Sequence, residues 1–241
     1  MPLFELKSFF PQPYFLFESL RKDGSMKLTE PLKECLALAN KQNFLQTLGI
    51  PAASVISALQ VHGDTIREVS KKEGGTVLSN TDGFMTNEPG LFLTLTGADC
   101  LPLFFAAPDV AAVGILHAGW RGLAKGIIGK MVDGLAATYH AYPAEILVAV
   151  GPHICAMHYR FPDAATKFAD AASAVSVYSD GAHLGLGAIA QQQLMNAGVL
   201  PSHLYLSQEC TFELADTYFS YRRDKPSVTE ATLFGIGMTK R

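Results

Sequence analysis

Between Leu91 and Gly122 the chain reads LFLTLTGADCLPLFFAAPDVAAVGILHAGWRG, two apolar runs on either side of Pro108-Asp109. Apolar runs of this length bounded by turn residues predict buried strands. Folded into an antiparallel hairpin with its loop centred on Pro108-Asp109, they place Cys100 opposite His117. Directly opposed residues share a face with Cβ atoms about 4.5–5.5 Å apart. That is close enough for one shared metal ion or one thiolate–imidazole pair.

The rest of the chain alternates shorter signals. Residues 3–17 predict one or two strands. Thr29–Leu48 predicts a helix started by Thr29 and Pro31, stopped by Gly49 and Pro51, with Leu32, Leu36, Leu38 and Leu45 on its apolar face. Val55–Val61 predicts a strand, and Gly63-Asp64 turns the chain into a second one, leaving His62 at the strand's carboxyl end. That position suits a surface imidazole as well as a ligand. Asp82-Gly83 reads as a turn before the apolar GFMT. After Gly122, Leu123, Ile127, Met131 and Leu135 recur at helical spacing and predict one amphipathic helix leaving the second hairpin strand. Its amino terminus and Arg121 would together favour an anion. Glu145–Val150 and Leu204–Ser207 predict strands, Asp163–Val175 and Leu184–Asn196 helices, and Phe219–Asp224 an exposed aromatic and basic patch. Without repeats or linkers, residues 1–241 are expected to form a single domain.

Composition narrows the classes. Hydrophobic residues make up 49% of the 241 and charged residues 17%, with a formal net charge of −3 and no basic block. Nucleic-acid and anionic-membrane binding need clustered Lys and Arg, so neither is expected. The apolar amino-terminal stretch is broken by Pro2, Glu5, Lys7, Pro11 and Pro13 and is not expected to be a secretion signal. Four cysteines (35, 100, 155 and 210) in this length do not resemble a disulfide framework, so a reducing cytoplasm is expected.

Cys100, His117 and His62 would complete the donor set of a catalytic zinc, three protein ligands with a fourth position open. Such a site lowers the pKa of coordinated water to roughly 7. A metal-free alternative makes Cys100 a nucleophile and His117 its base. Asp99 would orient a ligand imidazole, act as an acid or base, or simply close the GADC bend. His153, Cys155 and His158 crowd one irregular segment, but with no partner ligands near them in sequence they are not expected to form a second metal site.

Six motifs, QVHG (60–63), TGADCLPLFF (96–105), HAGWRG (117–122), GP (151–152), CT (210–211) and FSYRRD (219–224), together resemble the YfiH-type family, also called laccase-domain or polyphenol-oxidase-like. The resemblance runs from Ile56 to Asp224. It implies a zinc site of His62, Cys100 and His117, with copper as the ion that would compete for the same ligands. It implies phosphorolysis of adenosine, inosine and methylthioadenosine, with adenosine deamination as a further activity. Gln60, Asp99, Arg121 and Arg222 are the residues expected at the substrate, and small-molecule nucleoside and phosphate the partners. The implied fold is an α+β domain layered α/β/β/α, similar to the catalytic domains of deamidating bacterial toxins. Alternatives are a cysteine or zinc amidase editing peptidoglycan precursors, a copper protein of the polyphenol-oxidase kind, or a scaffold with a structural zinc. A full multicopper cluster needs roughly ten His, many as His-x-His; this chain has seven and no such pair.

Overall fold

A computed structural model describes residues 9–28, 35–162, 183–227 and 229–239. The expected strand before residue 9, the helix start at Thr29 and Pro31, and the expected helix over Asp163–Val175 lie outside them.

Eleven strands among the described residues build two sheets. The first runs β1 (Tyr14–Glu18), β11 (Thr232–Met238), β6 (Phe92–Gly97), β2 (Val55–Leu59), β4 (Val77–Ser79). The second runs β10 (Leu204–Leu206), β9 (Leu147–Val150), β7 (Leu101–Ala107), β8 (Ala112–Ala118), β5 (Gly83–Thr86), β3 (Ile66–Glu68). Alternation along each strand decides which layer it feeds. Phe104, Ala106, Val113 and Ile115 meet Ile56, Leu93, Leu95, Phe234 and Ile236 between the sheets. Leu101, Leu103, Phe105 and Leu116 point the other way, onto α2 (Trp120–Ala124), α3 (Ile127–Tyr139) and α4 (Leu186–Asn196). Phe17, Val55, Phe92 and Leu233 face away from the second sheet and pack with Leu45 of α1 (Cys35–Thr47). Burial on both faces explains why β7 and β8 read as continuous apolar runs. The layering is α/β/β/α, as expected. No described helix is long and apolar enough to cross a membrane.

Several local expectations change. The hairpin register is offset: Pro102, not Cys100, stands opposite His117, because the loop 108–111 is centred one residue later than Pro108-Asp109 and turns through Ala111 at φ 50°. Cys100 therefore lies diagonal to His117, just before β7. The predicted helix after Gly122 breaks at Gly126 (φ 71°) into α2 and α3, although Leu123, Ile127, Met131 and Leu135 are all buried as its pattern requires. With α2 only five residues long, little helix dipole is left near the site. On α1 the buried face is Ala37, Lys41 and Leu45, while Leu36 is 73% exposed. The turn at Gly63-Asp64 does lead into a strand, but β2 and β3 belong to opposite sheets.

That last change organises the molecule. Three connections, β2 to β3, β4 to β5 and β6 to β7, each carry the chain from the first sheet to the second. They bear His62, Asp82 and Cys100 respectively, and they meet at one end of the sandwich beside the end of β8.

Candidate metal centre and pocket

Asp82 is fully buried, and its carboxylate gathers the first connection around itself. It accepts hydrogen bonds from the backbone N–H groups of Val61 (3.3 Å), His62 (3.0 Å) and Gly63 (2.7 Å). Three N–H groups converge only because the chain curls at His62, which sits at φ 58°. The Oδ1 atom of Asp82 also accepts from Nδ1 of His117 at 2.9 Å, and the His117 N–H donates to the Asp82 carbonyl at 2.8 Å. Spending Nδ1–H on a carboxylate leaves the Nε2 lone pair for a metal, the usual carboxylate–histidine–metal relay.

The two imidazoles meet edge to face with centroids 4.7 Å apart. His62, Cys100 and His117 each place one donor atom within 4.8 Å of the others. Burial by itself would push the Cys100 thiol up, but His117 and then His62 outweigh it and bring the thiol down to about 6. Burial likewise opposes charge on His117, yet Cys100 and Asp82 lift that imidazole to about 9. Without a metal the pair is thereby biased toward thiolate and imidazolium, the sulfur in the state that ligates metal or attacks an electrophile, and an ion bound here would displace the Nε2 proton of His117. Gly119 explains the glycine of HAGW: a Cβ there would come within 2.9 Å of the Cys100 sulfur. Thiolate plus two imidazoles, one oriented by a carboxylate, fits a single zinc or copper ion.

The three donors line a cavity of about 380 Å³ together with Lys27, Asp99, Trp120, Arg121, Tyr159, Tyr221 and Arg222. The Arg121 guanidinium lies 4.5 Å over the Trp120 ring, and that of Arg222 lies 4.8 Å over Tyr159. Trp120 also packs on Phe161, at 5.2 Å.

The substrate candidates fall in different places. Arg121 is exposed at the cavity. Gln60 braces rather than lines it: its amide nitrogen donates to the Thr96 carbonyl at 2.7 Å, and its oxygen accepts from the Thr96 N–H at 2.9 Å. The role of orienting an imidazole belongs to Asp82, not Asp99. Asp99, at φ 94°, accepts from the Thr211 hydroxyl and the Arg222 N–H, each at 2.7 Å. It thereby ties the GADC bend to two distant segments. Phe219–Asp224 is an exposed patch only in part: Tyr221 is 53% exposed and, with Arg222, lines the cavity. Phe219 is buried, and Arg223 donates to the carbonyls of Thr211, Phe212 and Tyr218. Asp82 and Tyr159 were missed because one looks like an ordinary turn residue and the other sits in a segment without periodicity.

A family model described as multi-copper polyphenol oxidoreductase laccase matches residues 34–235. Purine nucleoside phosphorylase YlmD of Geobacillus stearothermophilus is 36% identical over 200 residues, 77% of this chain and 73% of that protein. A purine nucleoside phosphorylase of Xylella fastidiosa is 34% identical over 207 residues, 82% and 78% of the two. The crystal structure of YlmD from Geobacillus stearothermophilus matches with TM-score 0.86 at 31% identity, covering 95% of this chain and 93% of that one. The Bacillus licheniformis hypothetical protein YfiH matches with TM-score 0.82 at 30% identity, covering 89% and 85%. Sequence, fold and extent of match agree, and the chain belongs to the laccase-domain family that includes YlmD and YfiH.

Proposed function

We propose that this chain is a cytoplasmic, zinc-dependent purine nucleoside phosphorylase acting on adenosine, inosine and methylthioadenosine, with adenosine deamination at the same centre. The observation that carries the reading is the convergence of His62, Cys100 and His117 on a cavity walled by aromatic rings and guanidinium groups. The relatives' names support it.

Phosphorolysis joins a phosphate oxygen to the anomeric carbon of the ribose and breaks the glycosidic C–N bond, whose electron pair leaves on the purine. The chain must therefore hold an anion and a flat base in register. Arg121 and Arg222 present guanidinium groups suited to phosphate oxygens, and Lys27 adds a third cation on the cavity wall. Trp120, Tyr159 and Tyr221 offer ring faces on which a purine stacks. Zinc, held by His62, Cys100 and His117, would supply Lewis-acid polarisation of a substrate or solvent oxygen when bound. Asp82 keeps His117 in the tautomer that presents Nε2.

Incubating the purified protein with adenosine and phosphate, then resolving adenine, ribose 1-phosphate and inosine by chromatography, tests the reading. Adenine formation that requires phosphate supports phosphorolysis, and inosine supports deamination. Absence of all products at high enzyme concentration rejects the assignment.

A further inference from the structure

The loop that lines this cavity through Tyr159, and the 207–213 segment docked on it, carry a second set of donors that shares no residue with the first. Cys155, His158, Cys210 and Glu213 each place one donor atom within 4.8 Å of the other three. They come from two tight turns of the same design. In Cys155-Ala-Met-His158 the His158 N–H donates to the Cys155 carbonyl at 3.1 Å, and in Cys210-Thr-Phe-Glu213 the Glu213 N–H donates to the Cys210 carbonyl at 3.1 Å. Each turn thus offers a thiol and, three residues on, a second ligand, the short spacing seen within each half of structural zinc sites. The turns are docked by backbone: the His153 N–H donates to the Glu209 carbonyl at 3.3 Å and the Thr211 N–H to the His153 carbonyl at 3.1 Å.

The distances favour a cation over a hydrogen-bond network. Nδ1 of His158 lies 3.2 Å from the Cys155 sulfur, 3.8 Å from the Cys210 sulfur and 3.3 Å from Oε1 of Glu213. The Cys155 sulfur lies 3.7 Å from the same Oε1. One imidazole proton serves one acceptor well, not three. A tetrahedron with zinc–sulfur bonds near 2.3 Å and zinc–nitrogen or zinc–oxygen bonds near 2.1 Å has edges of roughly 3.4–3.8 Å. The separations of 3.3, 3.7 and 3.8 Å lie at or close to that range, and the 3.2 Å between His158 and Cys155 would open by a few tenths of an ångström on binding. The second turn also sets the ligand of the first: Phe212 stacks on the His158 ring at 4.4 Å and 10°. The Cys155 N–H donates to the Cys210 sulfur at 3.2 Å, a further contact between the two turns.

We propose that Cys155, His158, Cys210 and Glu213 form a structural zinc site that staples the 151–160 segment to the 207–213 segment. Four protein donors leave no open position, so the ion is structural rather than catalytic. Its consequence for the pocket is mechanical. The Ile154 N–H donates to the Asp99 carbonyl at 3.0 Å and the Thr211 hydroxyl to the Asp99 carboxylate at 2.7 Å, while Tyr159 lines the cavity. The staple fixes two of the three segments that hold Asp99, next to Cys100; the third is the backbone at Arg222. His153 lies outside the cluster: its Nδ1 is paired with the Gly151 carbonyl at 2.9 Å and its Nε2 faces Gly187.

The test is metal content of the full chain purified with reductant, alongside alkylation of each cysteine read by peptide mass spectrometry. Wild type is expected to carry about two zinc equivalents. Cys155→Ser and His158→Ala should each lose about one equivalent, and Cys100→Ala should lose the other. Zinc should protect Cys155 and Cys210 from iodoacetamide in wild type and in Cys100→Ala alike. Because Cys100→Ala reports on the triad and Cys155→Ser on this cluster, either reading fails without the other. Should Cys155→Ser fold poorly, the protection measurement on wild type still decides. Unchanged zinc in both Cys155→Ser and His158→Ala, equal alkylation of Cys155 and Cys210 with and without zinc, or a Cys155–Cys210 disulfide in place of a bound ion would each overturn the proposal.

Discussion

Oδ1 of Asp82 and Nδ1 of His117 stand 2.9 Å apart, both side chains withdrawn from solvent, and the same carboxylate holds the backbone of His62. One buried acid thus positions two histidines that are separated in sequence. Asp82→Asn keeps the shape but loses the charge-assisted bond. Metal affinity measured by chelator competition is expected to fall about 10–100-fold, with turnover falling in parallel. Asp82→Ala also strands three backbone N–H groups and is expected to destabilise by about 3 kcal/mol or more in denaturant titration. Unaltered metal affinity in Asp82→Asn would show that the relay does not tune the site.

The Cys100 thiolate makes a separate prediction on chelator-treated protein. With the thiol brought down to about 6 by His117 and His62, its alkylation rate should rise with pH around 6 rather than around 9. The sign for stability follows. Taken alone, the depressed thiol contributes stability that is lost as pH falls from 9 through about 6, while the raised His117 contributes stability that is lost as pH rises from 6.5 through about 9, so the pair leaves stability nearly level across that window. An alkylation midpoint near 9 would mean that the imidazoles do not stabilise the thiolate.

Division of labour in the cavity predicts separable kinetic defects. Arg121→Ala is expected to raise KM for phosphate about tenfold, about 1.4 kcal/mol, leaving KM for nucleoside nearly unchanged. Trp120→Ala is expected to do the reverse. Equal effects of both variants on both substrates would argue against the assignment.

Lys41 of α1 is buried and donates to the Ser57 hydroxyl, which in turn pairs with Thr94 at 2.8 Å. Burial lowers its pKa from 10.5 to about 8. A base depressed by burial destabilises the fold fully below about 8 and ceases to do so above its unfolded value near 10.5. Lys41→Met should therefore stabilise at neutral pH by about 1–3 kcal/mol, with the gain shrinking as pH rises toward 10.5. Thermal melts of both proteins across that range check it.

The sequence by itself marked the apolar runs of the central hairpin as buried strands and Leu123, Ile127, Met131 and Leu135 as one buried helical face, while the α/β/β/α layering followed from the resemblance of its motifs to the laccase-domain family. It also marked His62, Cys100 and His117 as residues of interest, since thiol and imidazole at strand ends beside tight turns are chemically conspicuous. Only the tertiary structure decided what surrounds them. Hairpin register depends on which loop residue adopts a left-handed conformation, and Ala111 gave no sign of it. Asp82 reads as a turn residue until three sheet-crossing connections are superposed at one end of the sandwich. Cys155 and His158 seemed to lack partners because Cys210 and Glu213 are more than fifty residues away. Periodicity reports what a residue faces within its own element; it carries no information about which distant loop arrives beside it, and the site is made of such arrivals.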